Sequence, residues 1–328
     1  MNRWLHLSAD QVAQIDVPIS EIRTAIEGMF REKAAGGVDL PPKLGVSLGE
    51  EGFLHAMPCS IPRVGAVGMK WIGSFPENAT RGMPQVSGVI VLNDPESGLP
   101  AAVLDAGWVT AKRTAAASVV AAQWIAHRPV HTLTILGCGT QGRSHLEAFI
   151  SAFPVQQVIV YDILEEAARA FVEEAALCYS GRVDPAISFV VARSPEEAAC
   201  AGDVVITAGS IAKKSDGTIR SGWLRQGACG ISIDFASTWS AEAISEFKMV
   251  VVDDRQQFRA YQQMGYCTHV SRVDASMEEI IGLAGDERGR EQSEGFACML
   301  GLASEDVVVA DLVLQRARAL GVGTWIDR

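Results

Sequence analysis

Apolar positions recur at two different spacings along the chain, and the change between them divides the sequence. Residues 8–34 have helical spacing, whereas Gly36 to Pro100 has short apolar runs separated by Gly and Pro, which predicts strands joined by turns. The alanine-rich stretch from Thr110 to about His127 predicts a long helix. An amphipathic helix from Ser304 to Leu320 is expected to pack back onto the N-terminal part. The predicted buried stripe of the first helix comprises Val12, Ile15, Ile19, Ile22, Ile26 and Phe30.

Strands and helices alternate without interruption between residues 132 and 253. Six runs there are apolar on both faces, as a parallel sheet covered by helices requires. Ser194, Pro195 and Glu197 have the spacing of a capped helix start between two of these runs. The pattern predicts an α/β fold with a doubly wound parallel sheet of the Rossmann type. The predicted strands are Thr132–Leu136, Val158–Tyr161, Ile187–Val191, Asp203–Thr207, Gly230–Asp234 and Met249–Asp253.

A glycine motif joins the first of these strands to the helix after it. Gly137, Gly139 and Gly142 have the spacing G-x-G-x-x-G. The first glycine permits a tight turn, the second lets backbone approach a pyrophosphate, and the third lets helix pack against strand. The phosphates would then lie at a helix N-terminus, which favours anions. Asp162 ends the next strand, where a carboxylate accepts hydrogen bonds from ribose hydroxyls and repels a 2′-phosphate, so the sequence predicts NAD and disfavours NADP.

Composition and charge exclude several classes of function. The chain has 328 residues, 48% hydrophobic and 20% charged, without an apolar run of about 18 residues that could span a bilayer. The N-terminus lacks the apolar segment of a signal peptide, which predicts a cytoplasmic protein. A formal charge of −11 argues against nucleic acid or an anionic membrane as partner. Seven scattered cysteines and the lack of ligand-spaced histidines predict reduced thiols and no metal site.

Two cations lie near the predicted start of the alanine-rich helix. Lys112 and Arg113 would fall in its first turn, where each cation opposes the helix dipole by about 0.3–1 kcal/mol. A positive pair at this place is better explained if an anion docks between the two side chains. Solvated surface charge is the alternative explanation.

Several further motifs accompany the glycine motif along the chain. They are Gly68-Met-Lys70-Trp71, Phe75-Pro-Glu-Asn78, Gly82-Met-Pro84, Ala111-Lys-Arg113-Thr-Ala-Ala-Ala117 and Leu300-Gly-Leu-Ala-Ser-Glu-Asp306. Together these motifs resemble the ornithine cyclodeaminase/mu-crystallin family, in register from about Leu40 to Trp325. The resemblance implies a homodimer that binds a small amino or imino acid. It further implies an α+β substrate-binding and dimerisation domain, residues 1–128 with 304–328, and a Rossmann NAD-binding domain, residues 129–303.

The resemblance also implies roles for individual residues. Lys70 stands where the family has a lysine that contacts the substrate near its α-carbon, and such an amine can polarise an imine or move a proton. Arg113 stands at an arginine that binds a carboxylate or phosphate, and Lys43 stands about where the family has a carboxylate-binding arginine. The implied cofactor contacts are Gln85, Arg113, Gly137, Gly139, Thr140, Gln141, Gly142, Asp162 and Thr207.

Two departures from the family pattern bear on the reaction. Ornithine cyclodeaminases share a glutamate two residues before the Met-Pro found here as Met57-Pro58, and this chain has His55. They also share a catalytic aspartate at a place that holds Ala236, with Asp234 two residues upstream as its candidate replacement. These changes favour an NAD-dependent imine (ketimine) reductase or amino-acid dehydrogenase, with Lys70, Asp234 and His55 as candidate catalytic residues. The alternatives are ammonia-releasing cyclisation of the ornithine cyclodeaminase type and a mu-crystallin-like, cofactor-dependent binding protein.

Overall fold

The computed structural model describes residues 3–49, 52–126, 128–179, 181, 186–213, 216–283 and 294–327. The strands are β1 (Arg3–Leu7), β2 (Leu44–Leu48), β3 (Gly52–Ile61), β4 (Ala66–Ser74), β5 (Val86–Asn93), β6 (Pro100–Asp105), β7 (Thr132–Leu136), β8 (Gln157–Tyr161), β9 (Ser188–Val191), β10 (Val204–Thr207), β11 (Cys229–Ser232), β12 (Met249–Val252), β13 (Ala275–Ser276), β14 (Gly295–Cys298) and β15 (Thr324–Asp327). The α-helices are α1 (Ala9–Ile15), α2 (Ile19–Ala34), α3 (Gly107–Ile125), α4 (Thr140–Ala152), α5 (Glu165–Tyr179), α6 (Pro195–Ala201), α7 (Ala241–Ser245), α8 (Arg255–Gln263), α9 (Met277–Leu283) and α10 (Ala303–Leu320). A short 3₁₀-helix covers Pro76–Arg81.

The chain divides into two compact units, which we describe separately. Unit 1 comprises Met1–Arg113 and Leu302–Arg328, and unit 2 comprises Thr114–Gly301. In unit 1 a mixed seven-stranded sheet has the order β15-β1-β6-β5-β4-β3-β2. The helix α10 packs against α2 and against β3, β4 and β5, which confirms that the C-terminal helix returns to the N-terminal part of the chain.

The N-terminal region differs from the single helix predicted over residues 8–34. Two helices are present, because Asp16 adopts a left-handed conformation with φ of 41° at the end of α1 and Pro18 precedes α2. Ser8 caps α1 by accepting a hydrogen bond from the Gln11 backbone N–H. The break rotates the second helix, so Val17 is buried and Ile19 is only half-buried. Strand β1, which the apolar pattern does not reveal, precedes both helices.

The alanine-rich helix begins three residues before its predicted start, and position 127 lies outside the described residues. Since α3 starts at Gly107, Lys112 and Arg113 lie in its second turn. The prediction that both cations oppose the dipole in the first turn is therefore wrong, because the dipole acts mainly within that turn.

Unit 2 contains an eight-stranded sheet in which every pair of strands is parallel. Its order is β13-β12-β14-β11-β10-β7-β8-β9, so the predicted Rossmann-type parallel sheet is confirmed. The six predicted strands are present, and β13 and β14 were not predicted. Every residue of β10, β11 and β14 is buried, as expected for strands covered on both faces.

Candidate active site

Lys70 lies on the buried face of the unit 1 sheet. Side chains of a strand alternate between faces, and in β4 this places Lys70 on the same side as Gly68 and Ile72. Its cross-strand neighbours Met57 and Ile90 are also buried. Only 1% of Lys70 is exposed, so its ammonium group does not reach solvent along an extended stem.

Three further charged side chains surround the Lys70 ammonium group. Its Nζ lies 2.6 Å from Oδ1 of Asp306 and donates a long hydrogen bond of 3.4 Å to Thr110 Oγ1. The same Asp306 oxygen lies 3.0 Å from Nε of Arg113, and Arg113 Nη1 donates to Oε2 of Glu305. Two cations and two carboxylates therefore form one buried cluster, and the anions beside Arg113 belong to the protein itself.

Burial dominates the protonation equilibria of this cluster. It lowers the pKa of Lys70 to about 7, because removal from water disfavours the ammonium form; Asp306 opposes this shift, and Arg113 and Lys43 add to it. Burial also raises the pKa of Glu305, against the attraction of Arg113. The Lys70 amine therefore titrates near neutral pH, where it can both donate and accept a proton.

Glu305 and Asp306 were not identified as functional residues from the sequence. They are the third and fourth residues of α10 and are completely buried. A signal was present, since two adjacent acids precede Val307-Val-Val-Ala310 in the helix that was expected to pack on the N-terminal part. Carboxylates near a helix N-terminus are favoured by the dipole, which partly compensates for their burial.

His55 and Lys43 belong to the same unit; His55 lies on β3, and Lys43 lies just before the edge strand β2. His55, in β3, stacks on Phe53 with ring centroids 4.1 Å apart and lies against Gly45 of β2. Burial lowers the pKa of His55 to about 3, and the charges of Lys43 and Lys70 act in the same direction. The imidazole is therefore neutral at ordinary pH. Gln85 is exposed, just before β5, and its side-chain amide donates to the Pro76 carbonyl at 3.4 Å.

The glycine motif of unit 2 has the geometry that its spacing predicts. Gly137 has a φ of 106°, and a Cβ there would lie 2.5 Å from the Ala208 carbonyl oxygen. A Cβ on Gly142 would clash with the Gly137 carbonyl oxygen, so this glycine permits close packing of α4 on the strand end. By contrast, a Cβ on Gly139 would meet no atom within 4 Å, which leaves open space before the helix N-terminus.

Polar groups around the motif fit a dinucleotide. Gly139 is the N-cap of α4 and provides no side-chain acceptor for the N–H groups of the first turn, which begins at Thr140. The buried Oε1 atom of Gln141 has no hydrogen-bond partner among the described residues. Both carboxylate oxygens of Asp162 accept backbone hydrogen bonds, from Cys138 at 2.8 Å and Leu164 at 3.0 Å, which hold the acid beside the glycine loop.

Asp234 is the centre of a closed hydrogen-bond network at the end of β11. Its carboxylate accepts hydrogen bonds from the hydroxyls of Thr207 (2.9 Å), Ser232 (2.6 Å) and Thr238. The Thr207 hydroxyl also accepts a 2.9 Å hydrogen bond from the Trp239 indole. Asp234 and Thr207 are fully buried. In the structure these hydrogen bonds fix the positions of both side chains at the strand ends, and the catalytic role of Asp234 and the cofactor contact of Thr207 remain predictions.

Neither a metal-ligand cluster nor a membrane-spanning helix is found among the described residues. Within the part of the chain that the structure describes, no group of three or more His, Cys, Asp or Glu side chains could hold a metal ion. No helix among these described residues is long and apolar enough to cross a membrane.

Comparison with known proteins identifies the family. The model of the ornithine cyclodeaminase/mu-crystallin family matches residues 6–321. The chain belongs to this family. Among its relatives, the alanine dehydrogenase of Archaeoglobus fulgidus is 32% identical over 333 residues, which cover 98% of each protein.

Solved structures of relatives share the whole fold. The Δ1-pyrroline-2-carboxylate reductase of Thermococcus litoralis, solved in complex with NADH and L-proline, superposes with a TM-score of 0.85 at 28% identity, covering 98% of this chain and 99% of that chain. An archaeal alanine dehydrogenase dimer with bound NAD gives a TM-score of 0.84 at 30% identity, covering 99% of both chains. These likenesses extend over both units.

Proposed function

We propose that this protein is an NAD-dependent oxidoreductase that acts at the α-carbon of a small amino or imino acid, as an imine reductase or amino-acid dehydrogenase. The buried Lys70 amine, which titrates near neutral pH beside Asp306 and Arg113, carries the proposal. The relatives support the reaction class, because they include an alanine dehydrogenase and a pyrroline-2-carboxylate reductase.

The proposed reaction converts a 2-imino acid, NADH and a proton into a 2-amino acid and NAD⁺. The cofactor, when bound, supplies the hydride that the α-carbon receives. Lys70 donates a proton to the substrate nitrogen, or polarises the C=N bond by holding that proton close to it, and in the reverse direction its neutral amine accepts a proton. Arg113 and Lys43 are proposed to orient the substrate carboxylate through charge-assisted hydrogen bonds, and His55 to provide a neutral wall of the site.

Unit 2 is proposed to hold the cofactor. The open space at Gly139, together with the uncapped N-terminus of α4, suits the pyrophosphate, and Asp162 suits the ribose hydroxyls. Thr140 and Gln141, in the first turn of α4, would contribute backbone and side-chain contacts. Gln85, in unit 1, remains a predicted cofactor contact, and a cytoplasmic location likewise remains a prediction.

We further propose that the protein is a homodimer that assembles through unit 1. Large apolar side chains are exposed in one cross-strand row of its sheet: Leu44, Trp71 and Val89 are 68%, 37% and 40% exposed, with Ala56 between the first two. Such a patch is unusual for a monomer, and the alanine dehydrogenase relative was solved as a dimer. Light scattering tests the proposal, since a mass of one 35.0 kDa chain in solution would contradict it.

Turnover by a Lys70→Met variant tests the proposed chemistry. Methionine fills a similar volume without the charge, so kcat should fall by about 10²-fold or more, while the dissociation constant of NADH changes only a few-fold. The exposed Lys248→Met is a matched control and should behave as wild type. Wild-type imine reduction should lose rate as the pH rises through about 7, because the Lys70 ammonium is lost, and the oxidative direction should lose rate as the pH falls through the same value.

The outcomes separate this function from the two alternatives. A panel of cyclic imines, and of 2-oxo acids with ammonia or amines, should consume NADH without releasing ammonia. Ammonia release from a diamino acid would favour the cyclodeaminase reaction, and NADH binding without any turnover would favour a binding protein. Wild-type turnover by Lys70→Met would remove Lys70 from the mechanism.

A further inference from the structure

Asp306 touches both of the cations that the proposed function uses. Its Oδ1 atom lies 2.6 Å from Lys70 Nζ and 3.0 Å from Arg113 Nε, although these side chains come from a strand and a different helix. One carboxylate oxygen therefore holds an ammonium and a guanidinium at a set separation. Removing it would leave two buried cations side by side, which repel each other.

The charged groups that face Lys70 are not equivalent. Arg113 of α3 and Lys43, just before β2, disfavour its ammonium form, and Asp306 of α10 favours it. His55 of β3 is neutral, and burial raises the pKa of Cys59 on the same strand to about 12, so neither carries a charge near pH 7. Glu305 is directed to Arg113. No other described carboxylate lies within ion-pair distance of Lys70.

The second carboxylate oxygen of Asp306, Oδ2, is buried and has no hydrogen-bond partner among the described residues. The same is true of the Ser304 hydroxyl. A buried acceptor without a donor is costly, and such atoms are commonly satisfied by a ligand or an ordered water. The helix that carries them is rigidly held, since Val307, Val308 and Val309 are all buried.

We propose that Asp306 is the positioning residue of the active site: it fixes Lys70 against Arg113 and keeps the Lys70 amine protonated at the pH where imine reduction takes place. Its second oxygen accepts a hydrogen bond from the substrate nitrogen or from a water beside it. This inference rests on the proposed function, because it assigns Asp306 an effect on the proton that Lys70 transfers.

The test compares Asp306→Asn with two other substitutions in α10. The pH dependence of kcat/KM for NADH-driven imine reduction is measured over about pH 5 to 9 for each variant. In Asp306→Asn, the decline of kcat/KM with rising pH should move to lower pH by about one unit or more. The reason is that an opposite charge within a few ångströms shifts a pKa by roughly 1–3 units. Glu305→Gln should raise KM without moving the decline, since Glu305 contacts Arg113. Asp311→Asn, at a carboxylate bonded to Gln315 on the same helix, should match wild type.

Each outcome bears on the inference. A folded Asp306→Asn whose pH profile coincides with that of wild type would overturn it. If Asp306→Asn does not fold, Asp306→Glu provides the test. The retained charge should preserve the pH at which kcat/KM declines, whereas the displaced carboxylate should lower kcat about 10-fold. An unchanged kcat would refute the positioning role of Asp306. Absence of NADH-driven imine reduction by the wild-type protein would reject the proposed function itself. Wild-type turnover together with an unshifted pH profile of the Asp306→Asn variant would reject only the role of Asp306.

Discussion

Alanine substitutions at two glycines of the same motif, Gly139 and Gly142, should have opposite effects on stability. Gly139 has φ of −77° and ψ of −162°, which alanine adopts readily, and a Cβ there meets no atom within 4 Å. Gly139→Ala should therefore leave the fold intact, or stabilise it by up to about 0.4–1 kcal/mol through the unfolded state. At Gly142 a Cβ would lie well inside 3.0 Å of the Gly137 carbonyl oxygen and 3.3 Å from Ile135 Cγ2. Overpacking of this kind costs about 1–3 kcal/mol or more.

The two variants separate cofactor binding from stability. Gly139→Ala places a methyl group in the space proposed for the pyrophosphate, so its NADH affinity should fall about tenfold or more, equivalent to about 1.4 kcal/mol. Gly142→Ala should lower the thermal midpoint by roughly 2–4 °C for each kcal/mol lost in a unit of this size. Fluorescence titration with NADH and thermal unfolding measure the two effects. Wild-type NADH affinity in a Gly139→Ala protein of normal stability would refute this loop as the pyrophosphate site.

Two further predictions concern Asp162 and Arg113. The wild-type enzyme should turn over NADH faster than NADPH, because a 2′-phosphate beside a carboxylate costs several kcal/mol. Asp162→Ser should lower the ratio of kcat/KM for NADH to kcat/KM for NADPH by about tenfold or more. A wild-type preference for NADPH would contradict this. Arg113→Ala should lower the free energy of unfolding by about 3–5 kcal/mol, since it leaves Glu305 without its cation and weakens the charge balance at Asp306. Arg113→Lys keeps the charge and should therefore lose less of the free energy of unfolding than Arg113→Ala. Equal thermal midpoints in the two variants would show that the buried ion pair does not stabilise the fold.

Local patterns in the sequence were sufficient to predict six of the eight strands described in unit 2 and the cofactor loop. The six predicted strands are largely apolar runs, as expected for strands of a parallel sheet covered by helices. The G-x-G-x-x-G spacing specifies the turn at Gly137 and the close approach of Gly142 to Gly137, because both depend on residues within the motif. The spacing does not reveal the contact of Gly137 with Ala208. The strand β13 was not predicted because it has only two residues, and β14 was not predicted because it begins at a glycine directly after a charged and polar stretch.

The candidate active site was only partly visible in the sequence. Lys70 and Arg113 could be identified as candidates by resemblance, but β4 carries apolar residues on both faces, so its alternation does not show that Lys70 is buried. The anion beside Arg113 could not be identified, because Glu305 is 192 positions away and no local pattern records which helix packs on which strand. Similarly, the hydrogen bond between the predicted site residues Asp234 and Thr207 could not be identified, because it joins neighbouring strands that lie 27 positions apart.

The sequence by itself therefore determined the class of fold and the cofactor loop, since periodicity and short spacings encode local geometry. Only the tertiary structure decided which charges meet. The packing of α10 on the unit 1 sheet brings Asp306 to Lys70 and Arg113, and burial there lowers the pKa of Lys70 to about 7. The physical reason is that desolvation and charge pairing depend on distances of a few ångströms between residues far apart in the chain.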